Sequence, residues 1–158
     1  MTQRHATFTS LESAPPRAMG PTSIRFLLEK SHGAAYSVIE FHAAPAFVGP
    51  PLPHHHTREE ASFMVLEGTL TITVGEEARS VGPGGLAHLP PGVDFTWRNA
   101  SAEAPARFLC IYAPAGFEQM FPDTARAFAE RGGSPTPEAM REVMPSIWQK
   151  YGIELATT

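Results

Sequence analysis

Turn-forming residues are spread so densely along this chain that they leave little room for long helices before about residue 114. The chain has 158 residues, of which 13 are Gly and 16 are Pro. This content is typical of many short strands joined by tight turns. Because 42% of the residues are apolar, a chain of this length can bury one compact core. We therefore expect a single domain built mainly from β-strands.

Alternating apolar and polar residues predict the strands between these turns. The clearest is the run 69–74, in which Leu70, Ile72 and Val74 would face a core and the three Thr would face outward. Further strands are predicted at residues 23–29, 35–42, 63–66, 86–89, 94–98 and 107–112. We expect strands 86–89 and 94–98 to form a hairpin around the turn 90–93.

Helical patterns begin only after the last predicted strand. Residues 123–131 contain good helix formers and are followed by Gly132. Thr136 and Pro137 indicate a second helix start, and Pro145 is expected to interrupt that helix. The expected organisation is an N-terminal arm at 1–22, a β-barrel at 23–113 and a helical extension of the same domain at 114–158.

Charge and cysteine content limit the expected partners. The formal net charge is −4 and the sequence has no basic run, so we expect no nucleic-acid partner. No stretch has the length and apolarity of a signal peptide or a membrane span, which predicts a cytoplasmic protein without a membrane partner. Cys110 is the single cysteine and lies in an apolar run, so a buried structural thiol is expected.

The strongest candidates for catalysis or metal binding lie in the run of three histidines after Pro53. On a strand, His54 and His56 would project to the same side and His55 to the other. Two neutral imidazoles so placed can bind one divalent metal ion, and a carboxylate shortly after them can add an oxygen ligand. Glu59 and Glu60 follow the histidines and are the candidate carboxylates.

Two longer segments resemble the motifs of the cupin superfamily. The stretch GPPLPHHHTREEASFMVLEG from Gly49 resembles the first motif, and GPGGLAHLPPGVDFTWRN from Gly82 resembles the second. Within that superfamily, the chain resembles the small quercetin dioxygenase-like cupins and the polyketide-pathway cupins. The resemblance implies an all-β cupin barrel, a double-stranded β-helix or jelly roll, with a short C-terminal helical tail. It also implies His54 and His56 in the barrel mouth, and a homodimer.

The sequence departs from the cupin pattern at two ligand positions. The metal-binding Glu of the family falls at Ala61, and the His of the second motif falls at Phe95. Glu60 is one replacement candidate, through a shorter spacing that the family also uses, so the resemblance makes His54, His56 and Glu60 the candidate catalytic residues. His88 is the other, because the predicted hairpin places it opposite Phe95 and on the same face. The expected metal ligands are thus His54, His56 and either His88 or Glu60, for Fe, Mn, Ni or Zn.

A cupin mouth without a full set of charged ligands would have apolar walls. Apolar and aromatic walls with a few polar groups suit a small, flat organic molecule, such as an aromatic or polyketide-like compound. The candidate ligand-binding residues are Met64, His88, Phe95, Trp97, Phe108 and Tyr112.

Three functions remain open at this stage. The first is a metal-dependent enzyme, either a quercetinase-like dioxygenase or a cyclase, which the pair His54 and His56 favours. The second is a metal-free isomerase or cyclase that uses His as general acid and base, which the losses at Ala61 and Phe95 favour. The third is a non-catalytic protein that binds a small molecule.

Overall fold

The protein is described by a computed structural model that covers residues 5–133 and 135–157. Eleven strands and two α-helices make up the described chain, with short 3-10 turns at Lys30–His32 and Phe117–Gln119. The strands are β1 (Arg17–Met19), β2 (Thr22–Leu28), β3 (Ser37–Ala43), β4 (His54–His56), β5 (Glu60–Glu67), β6 (Leu70–Val74), β7 (Glu77–Val81), β8 (Leu86–Leu89), β9 (Phe95–Arg98), β10 (Ala106–Ala113) and β11 (Ile153–Leu155). The helices are α1 (Met120–Ala129) and α2 (Pro137–Tyr151).

The strands form two antiparallel sheets that enclose one core. The six-stranded sheet has the order β1-β2-β3-β10-β5-β8, and the five-stranded sheet has the order β11-β4-β9-β6-β7. Neighbours in each sheet are often distant in sequence, as in β3 beside β10, so the chain passes repeatedly between the sheets. This arrangement confirms the predicted jelly-roll barrel with a helical tail.

One predicted pairing is wrong. Strands β8 and β9 do not form a hairpin, because β8 pairs with β5 in the six-stranded sheet and β9 pairs with β4 and β6 in the other. The turn at 90–93 therefore carries the chain across the barrel. The register places Leu89 opposite Ala61 and His88 opposite Ser62. Leu89 is buried and His88 is exposed, so the prediction that His88 points into the barrel is also wrong.

Aromatic side chains fill the space between the sheets. Phe41 and Phe108 stack with their ring centres 5.3 Å apart, and Trp97 meets Phe108 edge-on at 5.1 Å. Such pairs add to the stability gained from burying their apolar area. Cys110, on the same strand as Phe108, is a fully buried free thiol, as predicted.

The C-terminal segment completes the barrel. Thr136 caps α2 by accepting a hydrogen bond from the Ala139 amide, with Pro137 in the first turn. Pro145 lies inside α2 without ending it, contrary to the expected interruption. After α2, β11 pairs with β4, so the two sheets include residues beyond the predicted 23–113 region at both ends. Among the described helices, none is long and apolar enough to cross a membrane.

Candidate active site

A cavity of about 270 Å³ lies between the two sheets. Its wall is mainly aromatic, with contributions from Phe41, Phe47, Phe63, Phe95, Trp97, Tyr112, Phe117, Phe121 and Trp148. The C-terminal segment closes one side through Met140, Met144, Trp148, Ile153 and Leu155. The volume is near the lower end of the range for small-molecule sites and suits a molecule of two or three fused rings.

The described part of the cavity wall is free of formally charged side chains. Among the described residues that line it, none is Lys, Arg, Asp or Glu, and the polar side chains are Thr22, His54, His56 and Tyr112. A bound phosphate or carboxylate normally receives hydrogen bonds from Arg, Lys or several backbone amides. This wall therefore favours an uncharged ligand.

Strand β4 places two imidazoles in the cavity because side chains alternate along a strand. His54 and His56 are buried at 6% exposure each, with ring centres 5.5 Å apart. His55, between them, points to the outside, as predicted. Its Nδ1 lies 2.8 Å from Asp94 and its Nε2 lies 3.4 Å from Glu154.

His56 is hydrogen-bonded to a buried carboxylate. Its Nδ1 lies 2.7 Å from a side-chain oxygen of Glu59, and Glu59 is 5% exposed. An ionised carboxylate only accepts hydrogen bonds, so Nδ1 carries the proton and Nε2 carries the lone pair. Within the described residues, Nε2 has no hydrogen-bond partner in the protein. The pair thus fixes the tautomer in which Nε2 can accept a proton.

His54 is held in the neutral form. Burial, and to a smaller extent the neighbouring His56, lower the pKa of His54 to about 4, against the effect of a hydrogen bond to the Leu52 carbonyl. That bond is long, with Nδ1 3.4 Å from the carbonyl oxygen, and it requires the proton on Nδ1. His54 therefore also presents an unprotonated Nε2 at neutral pH.

Tyr112 and Phe117 flank the His56 ring. Tyr112 stacks on His56 with ring centres 5.9 Å apart and planes 9° from parallel, and Phe117 lies at 4.4 Å. Burial raises the pKa of Tyr112 well above its usual value, and contact with Cys110 adds to the shift. The phenol therefore stays protonated and can donate a hydrogen bond.

Four of the residues predicted for the site lie elsewhere. Glu60 and His88 meet outside the barrel, where Glu60 lies 3.5 Å from His88 Nε2 and their side chains are 51% and 45% exposed. Met64 also faces outward at 37% exposure, because it alternates with the buried Phe63. Phe108 is fully buried in the core and does not line the cavity. Phe95, Trp97 and Tyr112 line the cavity.

The residues present do not form a complete metal site. Among the described residues, no group of three or more His, Cys, Asp or Glu side chains lies close enough to hold an ion. The Phe95 ring lies 4.6 Å from His54 and 5.8 Å from His56, where a third donor would be needed. Iron and zinc sites in proteins usually have three or four protein ligands. Two imidazoles beside a phenyl ring therefore do not fit these ions.

Sequence reasoning selected the wrong carboxylate of an adjacent pair. Glu59 is three residues after His56 and precedes β5, whereas Glu60 is the first residue of that strand. Because Ala61 points into the barrel, its neighbour Glu60 must point outward, and this alternation was a usable signal. The contribution of Met140, Met144 and Trp148 to the wall had no comparable signal, since it depends on how α2 packs.

Residues 40–112 match the cupin domain family, and no curated protein matches the chain. KdgF from Halomonas sp. superposes with a TM-score of 0.64 at 14% identity, over 73% of this chain and 99% of that chain. The polyketide cyclase RemF from Streptomyces resistomycificus gives 0.59 at 21%, over 69% and 80%.

A third structure with this fold is a cupin-superfamily sugar phosphate isomerase from Silicibacter pomeroyi. It has a TM-score of 0.56 at 23% identity, over 68% of this chain and 75% of that chain. These similarities concern the fold, and the proteins that share it include enzymes. The domain match over residues 40–112 and the jelly-roll topology agree with each other, and the chain has the cupin fold.

Proposed function

We propose that this protein is a metal-independent enzyme that moves a proton within a small, uncharged, aromatic or polyketide-like molecule. The observation that carries the proposal is the buried hydrogen bond between His56 and Glu59 at the wall of an uncharged aromatic cavity. An imidazole oriented by a carboxylate is a common general base in enzymes. The proposed outcome is an isomerisation or a ring closure.

The proposed reaction begins with a proton transfer to His56. Nε2 takes a proton from a C–H bond next to a carbonyl group of the substrate. The electron pair of that C–H bond forms a C=C bond to the carbonyl carbon, and the π pair of the C=O bond moves onto the carbonyl oxygen. Glu59 stabilises the imidazolium that forms, as the carboxylate of a His-acid pair does. The same nitrogen then returns the proton to another atom of the substrate, so no oxidant or reductant is consumed.

Two further side chains have roles in this proposal. Tyr112 remains protonated and donates a hydrogen bond to the oxygen on which negative charge develops. His54 stays neutral at physiological pH, and its Nε2 can accept a hydrogen bond from a substrate hydroxyl. The aromatic wall holds the substrate rings and keeps water away from the proton transfer.

The lack of charged side chains among the described residues of the cavity wall favours an uncharged substrate over a phosphorylated one. RemF is a polyketide cyclase and the Silicibacter pomeroyi protein is a sugar phosphate isomerase. A sugar phosphate would bring a dianion to a wall that has no Lys or Arg among its described residues. An uncharged ring compound avoids this desolvation cost, so we favour a polyketide-like substrate.

The proposal can be tested without knowing the natural substrate. The probe is 2-tetralone, an uncharged two-ring ketone whose protons next to the carbonyl exchange slowly with D₂O. NMR would follow the rate of exchange and, by saturation transfer, the binding of the probe. We expect the protein to accelerate the exchange after treatment with EDTA, and His56→Ala to reduce the acceleration by roughly 10²–10⁴-fold.

Matched variants control for indirect effects. Glu60→Gln and His88→Ala alter the exposed pair outside the barrel and should leave the exchange rate unchanged. Binding without accelerated exchange would contradict the proposed enzyme and support a non-catalytic binder. An acceleration that is lost with EDTA and regained with Fe, Mn, Ni or Zn would instead support the metal-dependent function.

A further inference from the structure

Methionine side chains form a distinct part of the cavity wall. They are Met19, Met120, Met140 and Met144, and we call these four residues the methionine wall. All four are half-buried, and the only other methionine among the described residues, Met64, faces outward. A methionine side chain is unbranched and has three rotatable bonds, so it changes shape readily and fits around irregular neighbours. This part of the cavity wall is therefore deformable.

The methionine wall belongs to the segments that cover the barrel. Met19 ends β1 and Met120 begins α1. Met140 and Met144 are four residues apart on α2, so they share one face of that helix. Pro145 follows directly and has no backbone N–H, so this turn of α2 lacks one of its hydrogen bonds. The covering helix is thus less constrained at the point where it contributes Met144 to the cavity.

The barrel strands contribute a more rigid, aromatic part of the wall. The ring centre of Trp97 lies 5.8 Å from that of Phe41 and 5.6 Å from that of Phe47. Aromatic side chains have only two dihedral angles, and contacts between the rings favour particular orientations. Because protein interiors are close-packed, rings held in this way have little freedom to move. A ligand that exceeds the available space must therefore displace methionine side chains.

The methionine wall selects a ligand by its shape and not by hydrogen bonding. A thioether sulfur is at most a weak hydrogen-bond acceptor, and it makes favourable contacts with the edges of aromatic rings. A rigid apolar pocket distinguishes ligands that differ by one methylene group by about 10–200-fold. A pocket with a deformable side loses part of this discrimination, because its wall adjusts to the added atoms.

We propose that the methionine wall gives this site a broad specificity for flat, uncharged aromatic molecules of about two to four fused rings. Because this specificity belongs to the site of the proposed function, it rests on that proposal in one respect, that an uncharged aromatic molecule binds in the cavity. The cavity volume of about 270 Å³ suits two or three rings, and displacement of methionine side chains provides the space for a further ring.

The first experiment measures how affinity depends on ligand size. The probes are 2-naphthol, 2-anthrol and 1-pyrenol, which have two, three and four fused rings and are uncharged at pH 7, and equilibrium dialysis gives their dissociation constants. We expect the parent protein to bind 1-pyrenol at least as tightly as 2-naphthol. The triple variant Met120→Leu/Met140→Leu/Met144→Leu nearly conserves volume but replaces flexible side chains with branched ones. It should bind 2-naphthol within about 3-fold of the parent and 1-pyrenol at least about 10-fold more weakly.

Met64→Leu is the matched control, because it makes the same replacement outside the cavity. It should leave all three dissociation constants unchanged. A parent protein that binds none of the three alcohols, or binds 2-naphthol but excludes 1-pyrenol, would overturn the proposal. A triple variant with the size profile of the parent would overturn it as well. The 2-tetralone exchange assay does not depend on these measurements, so the proposed enzyme and its proposed breadth of specificity can fail separately.

The second experiment observes the methionine wall directly. Methionine labelled with carbon-13 at its terminal methyl group gives one NMR signal per residue, and single Met→Leu variants assign these signals. Saturation with each alcohol should shift the signals of the methionine wall through the ring currents of the ligand, by amounts that differ among the three alcohols. The signal of Met64 should not move. If an alcohol binds and the methionine-wall signals stay unchanged, the ligand lies elsewhere and the proposal is wrong.

Discussion

His56 and Glu59 form a buried hydrogen bond of 2.7 Å between Nδ1 and a carboxylate oxygen. The bond joins the end of β4 to the short connection that leads into β5. It therefore orients the His56 ring at the cavity wall. Both side chains are almost fully withdrawn from water. A buried polar group that loses its partner cannot recover the lost bond from solvent.

Removal of the carboxylate should therefore destabilise the protein. Glu59→Ala leaves the Nδ1 proton of His56 without an acceptor, and we expect it to lower the free energy of unfolding by about 1–3 kcal/mol. Glu59→Gln keeps an oxygen acceptor and should cost less. Urea unfolding monitored by Trp fluorescence measures both. Glu60→Gln, at a 51% exposed side chain, is the control and should change stability by less than about 0.5 kcal/mol.

Stability should fall in mildly acidic solution because of His54. Its pKa is about 4 in the folded protein and 6.5 in the unfolded chain. Between these values the unfolded chain binds more protons, so the stabilisation is complete above pH 6.5 and is lost as the pH falls to 4. The difference in pKa corresponds to roughly 3 kcal/mol. Urea unfolding at pH 7 and pH 4.5 measures it.

The variant His54→Gln isolates this contribution from that of other groups. Glutamine does not titrate, so the variant should lose less stability than the parent protein between pH 7 and pH 4.5. Carboxyl groups with lowered pKa values, such as those of Glu40 and Asp123, titrate in both proteins, so their contributions to the loss of stability cancel in the comparison. Equal losses in the two proteins would show that folding does not lower the pKa of His54, and the prediction would be wrong.

The connection between α2 and β11 depends on a glycine. Gly152 has φ = 67°, and a Cβ there would come within 2.5 Å of Thr57 Oγ1. Gly152→Ala should therefore cost more than the strain of about 1–2 kcal/mol expected for a left-handed Ala. It should also loosen β11 from β4 and speed hydrogen exchange at the His54–His56 amides.

Gly75→Ala is the matched control for this prediction. Gly75 has φ = 59° but no atom within 4 Å of the added Cβ, so this variant carries the backbone strain alone. Thermal unfolding compares the two variants. If they lose the same stability, the close approach to Thr57 makes no contribution and the prediction is wrong.

Local sequence patterns predicted seven of the eleven strands of the described chain, but not all of their partners, and gave no prediction for β1, β7 and β11. The alternation of Leu70, Ile72 and Val74 and the surrounding Gly and Pro residues defined β6 to within one residue. The turn at 90–93 has the same residues whether it closes a hairpin or crosses between sheets. Only the packing of the whole barrel decides between a hairpin and a crossing. Because the chain crosses, β8 pairs with β5 and His88 points outward, contrary to the prediction.

The site was only partly predictable, again because local patterns do not determine how distant segments pack. The two-residue period of a strand is sufficient to place His54 and His56 on one side, and the structure brings both to the cavity. The partner of His56 depends on how the chain bends between His56 and β5, which no pattern in residues 57–59 specifies. Alternation beside the inward-facing Ala61 argues against Glu60, but it does not show that Glu59 is the buried carboxylate.

Replacement of one side chain should convert the cavity into a metal site. Phe95 is opposite His54 in the strand register, and its ring lies near both imidazoles. Phe95→His would add a third nitrogen donor, which is the usual minimum for zinc in a protein. After incubation with zinc and dialysis, we expect about one ion per chain in this variant and much less than one in the parent protein, measured by elemental analysis of untagged protein. Thr96→His, on the opposite face of β9, is the control and should retain no more zinc than the parent. Stoichiometric zinc in the parent protein would contradict the conclusion that His54 and His56 form an incomplete donor set.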